Sequence, residues 1–200
     1  MSRVQQARRS QMIGIGFAVI LLAGAGYVAV AHPEIISGGE KAPAELPGNL
    51  FAVADFSFES GSGPWAPLPG SPGRGKYVAA TELAAAQGKS CYAVTRDLPA
   101  GRGAVVAAGP KDLRVNPTSS YSFGAHMRTK GDAQACVRVT WIAADGSTSV
   151  GESATDLSSG AEWIAIRQSV AQPPRDAVFA RLELVNAGGD TAYFDDVFFG

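Results

Sequence analysis

The stretch that decides the fold is Ala192-Tyr193-Phe194-Asp195-Asp196-Val197-Phe198-Phe199-Gly200. Apolar and polar side chains alternate along it, which is typical of a half-buried β-strand. An earlier stretch, Phe56-Ser57-Phe58-Glu59-Ser60-Gly61, repeats the combination of aromatic and acidic residues. The two stretches together predict that the first and last strands of an all-β domain are paired, and that the ends of the domain are held together there.

Residues 49–200 contain short alternating segments separated by turn-forming residues. Asp145-Gly146 is a strong β-hairpin signal, and Pro173-Pro174 cannot continue a hydrogen-bonded ladder. The predicted strands are Leu50–Ala54, Lys76–Ala80, Ser90–Arg96, Ala104–Ala107, Ser120–Arg128, Ala135–Ala143, Thr148–Gly151, Trp163–Val170, Ala177–Val185 and Ala192–Phe199. Strands of this number and spacing indicate a two-sheet antiparallel sandwich.

A charge-free segment precedes the domain. Residues 12–31 form an apolar run of 20 residues, and a helix of that length is about 30 Å long, the thickness of a bilayer core. The run is preceded by Arg3, Arg8 and Arg9 and followed by Glu34, Glu40 and Glu45, which predicts a cytoplasmic N-terminus. We therefore predict a cytoplasmic basic tail at 1–11, a single-pass transmembrane signal anchor at 12–31, a flexible tether at 32–48 and a β-sandwich at 49–200.

A cleaved signal peptide is the alternative interpretation of this segment. Ala29-Val30-Ala31 fits the small-residue cleavage pattern, whereas the apolar run exceeds the usual length of about 7 to 15 residues for the apolar region of a signal peptide. Both interpretations place the sandwich outside the cytoplasm, in a periplasmic or extracellular location.

Two cysteines, Cys91 and Cys136, fit that compartment, where an even number of cysteines permits a disulfide. Each lies in an alternating segment, and the alternation places both sulfur atoms on outward faces. A disulfide requires the two strands to be neighbours; the alternative is two free, half-buried thiols.

The sequence contains no recognisable arrangement of a catalytic acid, base or nucleophile. His32 lies in the tether, and no motif surrounds His126. Asp195 and Asp196 are adjacent in a predicted strand and so face opposite sides of a sheet, which prevents them from flanking one glycosidic bond. A net charge of −1 and a pI near 6.1 provide no basic surface for nucleic acid. We predict a protein that is not an enzyme and does not bind nucleic acid.

The order of motifs along residues 49–200 resembles a known family. In chain order the motifs are Asn49-Leu50, Phe58-Glu59-Ser60-Gly61 with Trp65, Gly88-Lys89-Ser90-Cys91-Tyr92-Ala93-Val94, Val115-Asn116-Pro117-Thr118-Ser119-Ser120-Tyr121-Ser122-Phe123, Val137-Arg138-Val139, Trp163, Ala180-Arg181-Leu182-Glu183-Leu184 and Tyr193-Phe194-Asp195-Asp196-Val197. They resemble the jelly-roll carbohydrate-binding modules of galactose-binding-like fold found beside xylanases and cellulases. The resemblance implies an antiparallel jelly-roll β-sandwich, here preceded by the single transmembrane helix.

The resemblance also implies a structural calcium ion near the paired ends of the domain. Carried over by position, Glu59 and Asp196 are its expected ligands, since Ca²⁺ favours carboxylate and carbonyl oxygens. The alternative is that the two carboxylates only accept backbone N–H bonds at a strand junction.

Glycan binding in the family uses exposed aromatic side chains with polar groups nearby. Trp65 and Tyr77, which flank a Pro/Gly-rich loop, are the aromatics we expect to be exposed, and Arg74 is a neighbouring polar group. Trp163 occupies a position at which the family keeps a core residue.

Two functions remain open. The first is a non-catalytic binding module, anchored in the membrane by residues 12–31, whose ligand is a glycan of the cell envelope. The alternative is a structural or accessory subunit of a membrane protein complex, with the helix packing on partner helices and the sandwich capping the complex outside the cytoplasm.

Overall fold

The computed structural model describes residues 48–51, 56–61, 63–79, 85–96, 104–109, 112–170 and 172–200. The predicted tail and anchor, and the tether up to residue 47, lie outside the described residues. Among the residues that are described, no helix is long and apolar enough to cross a membrane.

Eleven strands make up the described part of the domain. They are β1 (Ala66–Pro67), β2 (Gly73–Ala79), β3 (Ser90–Arg96), β4 (Val105–Ala108), β5 (Leu113–Arg114), β6 (Tyr121–Lys130), β7 (Ala135–Ile142), β8 (Ser149–Ala154), β9 (Ile164–Val170), β10 (Phe179–Asn186) and β11 (Thr191–Phe199). The predicted Asp145-Gly146 hairpin joins β7 to β8, with Gly146 at a φ of 72°.

The strands form two antiparallel sheets. The five-stranded sheet has the order β2-β3-β11-β6-β9, and the six-stranded sheet has the order β1-β4-β10-β7-β8 with β5 paired to β10. The facing sides enclose one large core of aromatic and branched side chains, including Trp141, Phe194 and Phe199. An all-β antiparallel sandwich is therefore confirmed.

The predicted opening strand is wrong. Phe58 has a φ of 57°, and the backbone N–H of Gly61 donates to the carbonyl of Phe58, so the described residues 56–61 turn instead of extending. A residue in the left-handed region interrupts the regular extended backbone of a strand, and no strand pairing continues past it within the described residues 56–61. Strand β11 pairs with β3 and β6 instead, and lies at the centre of its sheet.

The ends of the domain are nevertheless held together, by Asn49. Its side-chain amide donates to the carbonyl of Val197 at 2.9 Å, and its side-chain oxygen accepts from the backbone N–H groups of Phe51 and Phe199. The N–H of Leu50 also donates to the carbonyl of Phe199 at 2.8 Å. One asparagine thus ties the start of the domain to the end of its central strand.

The disulfide prediction is also wrong. Cys91 and Cys136 are free and buried, and they lie in β3 and β7, which belong to different sheets. Alternation does place both on outward faces: Cys91 packs with Val78 and Ala93, whereas Cys136 packs with Val106 and Val185. The two outward faces are on opposite sides of the sandwich, so the two sulfur atoms cannot meet.

We expect Asn49→Ala to lower the free energy of unfolding by about 1–3 kcal/mol, because two N–H groups and one carbonyl lose their partner. Denaturant unfolding measures this loss. Asn116→Ala is the matched control, since the Asn116 side chain bonds only within an exposed turn. An Asn49→Ala variant that is no less stable than the control would contradict this role of Asn49.

Both thiols should resist alkylation in the folded protein. Burial raises the pKa of Cys91 to about 12 and raises the pKa of Cys136, so little reactive thiolate forms at neutral pH. We expect intact-mass measurement to show no iodoacetamide adduct on the native protein and two adducts after unfolding in urea without reductant. Failure to react in urea unless reductant is added would restore the disulfide.

Candidate functional site

The outer face of the five-stranded sheet carries the candidate site. In β2 the residues alternate: Gly73, Gly75 and Tyr77 face the core, and Arg74 and Lys76 project outward. A side chain at Gly75 would collide with the hydroxyl of Tyr92 in the core. The two glycines therefore bring β2 close to the core while its two cations remain exposed.

A depression of about 650 Å³ lies on this outer face. Its polar and aromatic lining comes from Arg74 and Lys76 of β2, Thr95 of β3, and Thr191 and Tyr193 of β11. The register explains the grouping, because Arg74 is opposite Thr95 and Thr95 is opposite Thr191. Outward residues of three adjacent strands thus line one surface.

A second depression, of about 410 Å³, adjoins the first. It is lined by Arg128 and Lys130 of β6, by Ser159 and Ala161 of the loop between β8 and β9, and again by Tyr193. We call the two depressions together the Tyr193 groove. Tyr193 is half-buried and packs on the same small apolar cluster as the half-buried Trp163.

The structure places the three predicted ligand-binding residues differently. Trp65 is only 4% exposed and packs against Phe58 and Tyr92, with ring centroids 5.7 and 6.3 Å apart. Tyr77 faces the core, and its ring contacts that of Tyr92 edge-on at 5.0 Å. The prediction that Trp65 and Tyr77 are exposed stacking surfaces is therefore wrong, whereas Arg74 is exposed and lines the groove.

The aromatics beside the groove, Tyr193 and Trp163, were missed as site residues. A signal for Tyr193 was present, since it alternates with the inward-facing Ala192 and Phe194 and so must face outward. The outward position of Arg128 and Lys130 follows from the same alternation, because Met127 and Thr129 at the alternate positions are buried.

A β-bulge in β11 brings two carboxylates to this face. The pairing with β6 shifts between Asp195 and Phe198, and Asp196 has a φ of 48°. The Oδ2 of Asp196 lies 3.3 Å from the Nδ1 of His126, the residue opposite Asp195. The expectation that adjacent Asp195 and Asp196 face opposite sides is therefore wrong, because the bulge adds a residue to the outer face.

Asp195 is buried on this face and holds its proton strongly. Its Oδ2 accepts the backbone N–H of Gln87 at 2.9 Å, and its Oδ1 accepts the N–H of Asp196 at 2.9 Å. Burial is the largest cause that raises the pKa of Asp195, and the charge of Asp196 is the second. Together they bring the pKa to about 8, although the two hydrogen bonds act to lower it. Near neutral pH the Asp195 carboxyl is therefore largely uncharged.

The predicted calcium ligands do not form a cation site on their own. Both oxygens of Glu59 accept the backbone N–H of Lys89, and Oε1 also accepts that of Ser90. Asp196 faces His126, and its Oδ2 is buried without a hydrogen-bond partner. Within the described ranges, no three His, Cys, Asp or Glu side chains are grouped so that they could hold a metal ion. Calcium binding by Glu59 and Asp196 stays a prediction.

Sequence comparison finds no matching family model and no matching curated protein. Solved structures do match the fold. Tailspike protein 4 of bacteriophage CBA120, in its enzymatically active domain, is 11% identical over 76% of this chain and 21% of that chain, with a TM-score of 0.57. The CBM22-1–GH10 modules of the Clostridium thermocellum endo-1,4-beta-D-xylanase 10B are 16% identical over 72% of this chain and 27% of that chain, with a TM-score of 0.56.

A third match corresponds to almost a whole solved domain. The CBM22-1 xylan-binding domain of Paenibacillus barcinonensis Xyn10C is 14% identical over 72% of this chain and 90% of that chain, with a TM-score of 0.52. The predicted likeness to carbohydrate-binding modules is confirmed at the level of the fold, since the chain shares the β-sandwich of these solved modules. The chain spans only about a fifth to a quarter of the first two matches, one of which is an enzymatically active domain.

The raised pKa of Asp195 predicts a pH-dependent stability. Folding raises the pKa of this carboxyl from 3.8 to about 8, so between these values the folded state binds the proton more tightly than the unfolded state. The stabilisation is complete below pH 3.8 and is lost as the pH rises towards 8. We expect the free energy of unfolding in urea to fall between about pH 5 and pH 8.

Asp195→Asn is the control for this pH dependence, because the amide cannot titrate. We expect the variant to be less stable, since its amide nitrogen cannot accept an N–H bond. Its stability should nevertheless fall much less over the same pH range. Equal slopes in the two proteins, or wild-type stability that rises with pH, would contradict the assignment.

Proposed function

We propose that this protein is a non-catalytic glycan-binding module whose ligand lies in the Tyr193 groove. The observation that carries the proposal is the position of Tyr193, a half-buried aromatic shared by two adjoining depressions on one open sheet face. Aromatic rings bind flat apolar surfaces while the surrounding polar groups orient the ligand. A pyranose presents that combination, with C–H groups on one face and hydroxyls at its edge.

The polar groups around Tyr193 suit a hydroxyl-rich ligand. Thr95 and Thr191 lie on one side, with hydroxyls 3.0 Å apart, and Ser159 lies in the second depression. Hydroxyl groups both donate and accept hydrogen bonds. The solved neighbours support the proposal, since one of them is described as a xylan-binding domain and another as complexed with xylohexaose.

The proposal includes a location outside the cytoplasm, with residues 12–31 as a membrane anchor. Its support is the charge-free run and the arginines Arg3, Arg8 and Arg9 before it. In that arrangement the module would hold a polysaccharide of the envelope close to the membrane.

Affinity electrophoresis of the full chain, in mild detergent with soluble xylan, β-glucan or galactan in the gel, tests the proposal. We expect at least one polysaccharide to retard the wild type. Tyr193→Ala should weaken binding about tenfold, because the stacking surface is lost, and Tyr193→Phe should retain it. Leu50→Ala is the control, since Leu50 is an exposed apolar residue outside the groove.

The position of the site and glycan binding itself are tested by different results. Binding that Tyr193→Ala leaves unchanged would contradict the placement of the site. Migration that none of these polysaccharides retards would contradict glycan binding itself. Circular dichroism of each variant shows whether a loss of binding reflects a loss of fold.

A further inference from the structure

We propose that Thr129 is a positioning residue of the glycan site. Its hydroxyl holds the loop between β8 and β9, and through this loop it fixes the hydroxyl of Ser159 at the second depression of the Tyr193 groove. The inference rests on the proposed function and specifies the ligand by its length. The site selects glycan chains that extend past Tyr193 into the second depression over short ones held at the first.

Thr129 is a polar residue at a core-facing position of β6. It is buried, like Met127 two residues before it in the same strand. A hydroxyl buried at such a position is unfavourable unless it is hydrogen-bonded. The Oγ1 of Thr129 accepts the backbone N–H of Gly160 at 2.9 Å and donates to the carbonyl of Gly160 at 3.3 Å. The side chain therefore spends both bonds of its hydroxyl on one residue of the loop.

The loop between β8 and β9 links the two sheets beside the second depression. Ser158 exchanges two backbone hydrogen bonds with Ala135, the first residue of β7, at 2.8 and 2.9 Å. The carbonyl of Gly160 also accepts the backbone N–H of Thr129 at 2.6 Å. Strand β7 belongs to the six-stranded sheet and β6 to the five-stranded one. Ser159 thus lies between two anchored residues, one on each sheet.

Ser159 is the residue through which this anchoring reaches the ligand. It is exposed and lines the second depression, whereas Tyr193 lines both depressions. A glycan that covers only Tyr193 and the first depression lies away from Ser159, and a longer chain meets it. A hydroxyl that is already held in place binds at a lower entropy cost than one on a loop that must first be ordered. Removal of the Thr129 hydroxyl should therefore weaken the binding of long chains only.

Isothermal titration calorimetry of the full chain in mild detergent tests the inference with short and long oligosaccharides. The probes are xylobiose and xylohexaose, and the disaccharide and hexasaccharide of the β-glucan and of the galactan. We expect at least one hexasaccharide to bind about tenfold more tightly than its disaccharide. Thr129→Val keeps the shape of the side chain without the hydroxyl, and should weaken binding of that hexasaccharide about fivefold while leaving the disaccharide unchanged.

Two further variants show how Thr129 acts. Thr129→Ser keeps the hydroxyl and should bind both oligosaccharides as the wild type does. Ser159→Ala changes an exposed side chain and should weaken hexasaccharide binding as Thr129→Val does. The double variant should bind no more weakly than either single variant, because one substitution removes the contact that the other residue positions.

Thr155→Val is the matched control for the loss of a buried hydroxyl. Thr155 and Thr129 are each 6% exposed. The hydroxyl of Thr155 accepts the backbone N–H of Val137 at 3.2 Å and donates to the carbonyl of Asp156 at 3.3 Å, and none of these three residues lines the groove. We expect Thr155→Val to lower the melting temperature as Thr129→Val does, with no change in hexasaccharide binding.

Several results would overturn the inference, and they differ in what they imply for the proposed function. Equal weakening of disaccharide and hexasaccharide by Thr129→Val, or the same loss of hexasaccharide binding in Thr155→Val, would show a merely structural role. Unchanged hexasaccharide binding by Ser159→Ala, or a loss in Thr129→Ser as large as in Thr129→Val, would also refute positioning through the hydroxyl. Wild-type protein that binds disaccharide and hexasaccharide equally would refute selection by length and leave glycan binding intact. Absence of binding to every oligosaccharide and polysaccharide tested would refute both the inference and the proposed function.

Discussion

The extra residue in β11 is the constraint on which the rest of the five-stranded sheet depends. Without the bulge, strict alternation after Phe194 would turn Asp196 and Phe198 towards the core and expose Val197 and Phe199. With it, Val197 and Phe199 are fully buried and both carboxylates lie on the outer face. The left-handed backbone at Asp196 is a local strain that the surrounding pairing and core packing hold in place.

The same strand divides the outer face into two parts with different chemistry. Asp195 is fully buried on this face, and the backbone N–H of Gln87 donates to its carboxyl group. Around Tyr193 the face is open and bordered by cations. Burial keeps Asp195 largely protonated near neutral pH. Two residues along β11 thus separate the buried carboxyl of Asp195 from the open groove at Tyr193.

Much of the fold could be predicted from alternation and turn residues. Strand β3 has the predicted bounds, and β4, β6, β7, β9, β10 and β11 differ by one or two residues at their ends. The errors come from features that local alternation does not encode. Phe58 adopts a positive φ in a segment with strand-like composition. The bulge in β11 reverses which residues face the core after Asp195, although the alternation in the sequence is regular.

The site was harder to predict because it depends on which strands become neighbours. The alternation of Cys91 and Cys136 is correct, yet their assignment to opposite sheets is a property of topology. Trp65 lies in a Pro/Gly-rich stretch that favours exposure, and only the three-dimensional packing of Phe58 and Tyr92 around it shows that it is core. The groove gathers residues from β2, β3, β6 and β11, a set that no local pattern identifies.

The central position of β11 also has a consequence for biosynthesis. Strand β11 lies between β3 and β6, whose pairing edges have no partner on that side until residues 191–199 have been synthesised. A nascent chain therefore carries two open edges through most of its translation, and such edges are prone to pair with other chains. Closure of the five-stranded sheet joins segments far apart in sequence, which makes it a slow step. The emerging polypeptide would accordingly depend on a chaperone more than its modest size suggests.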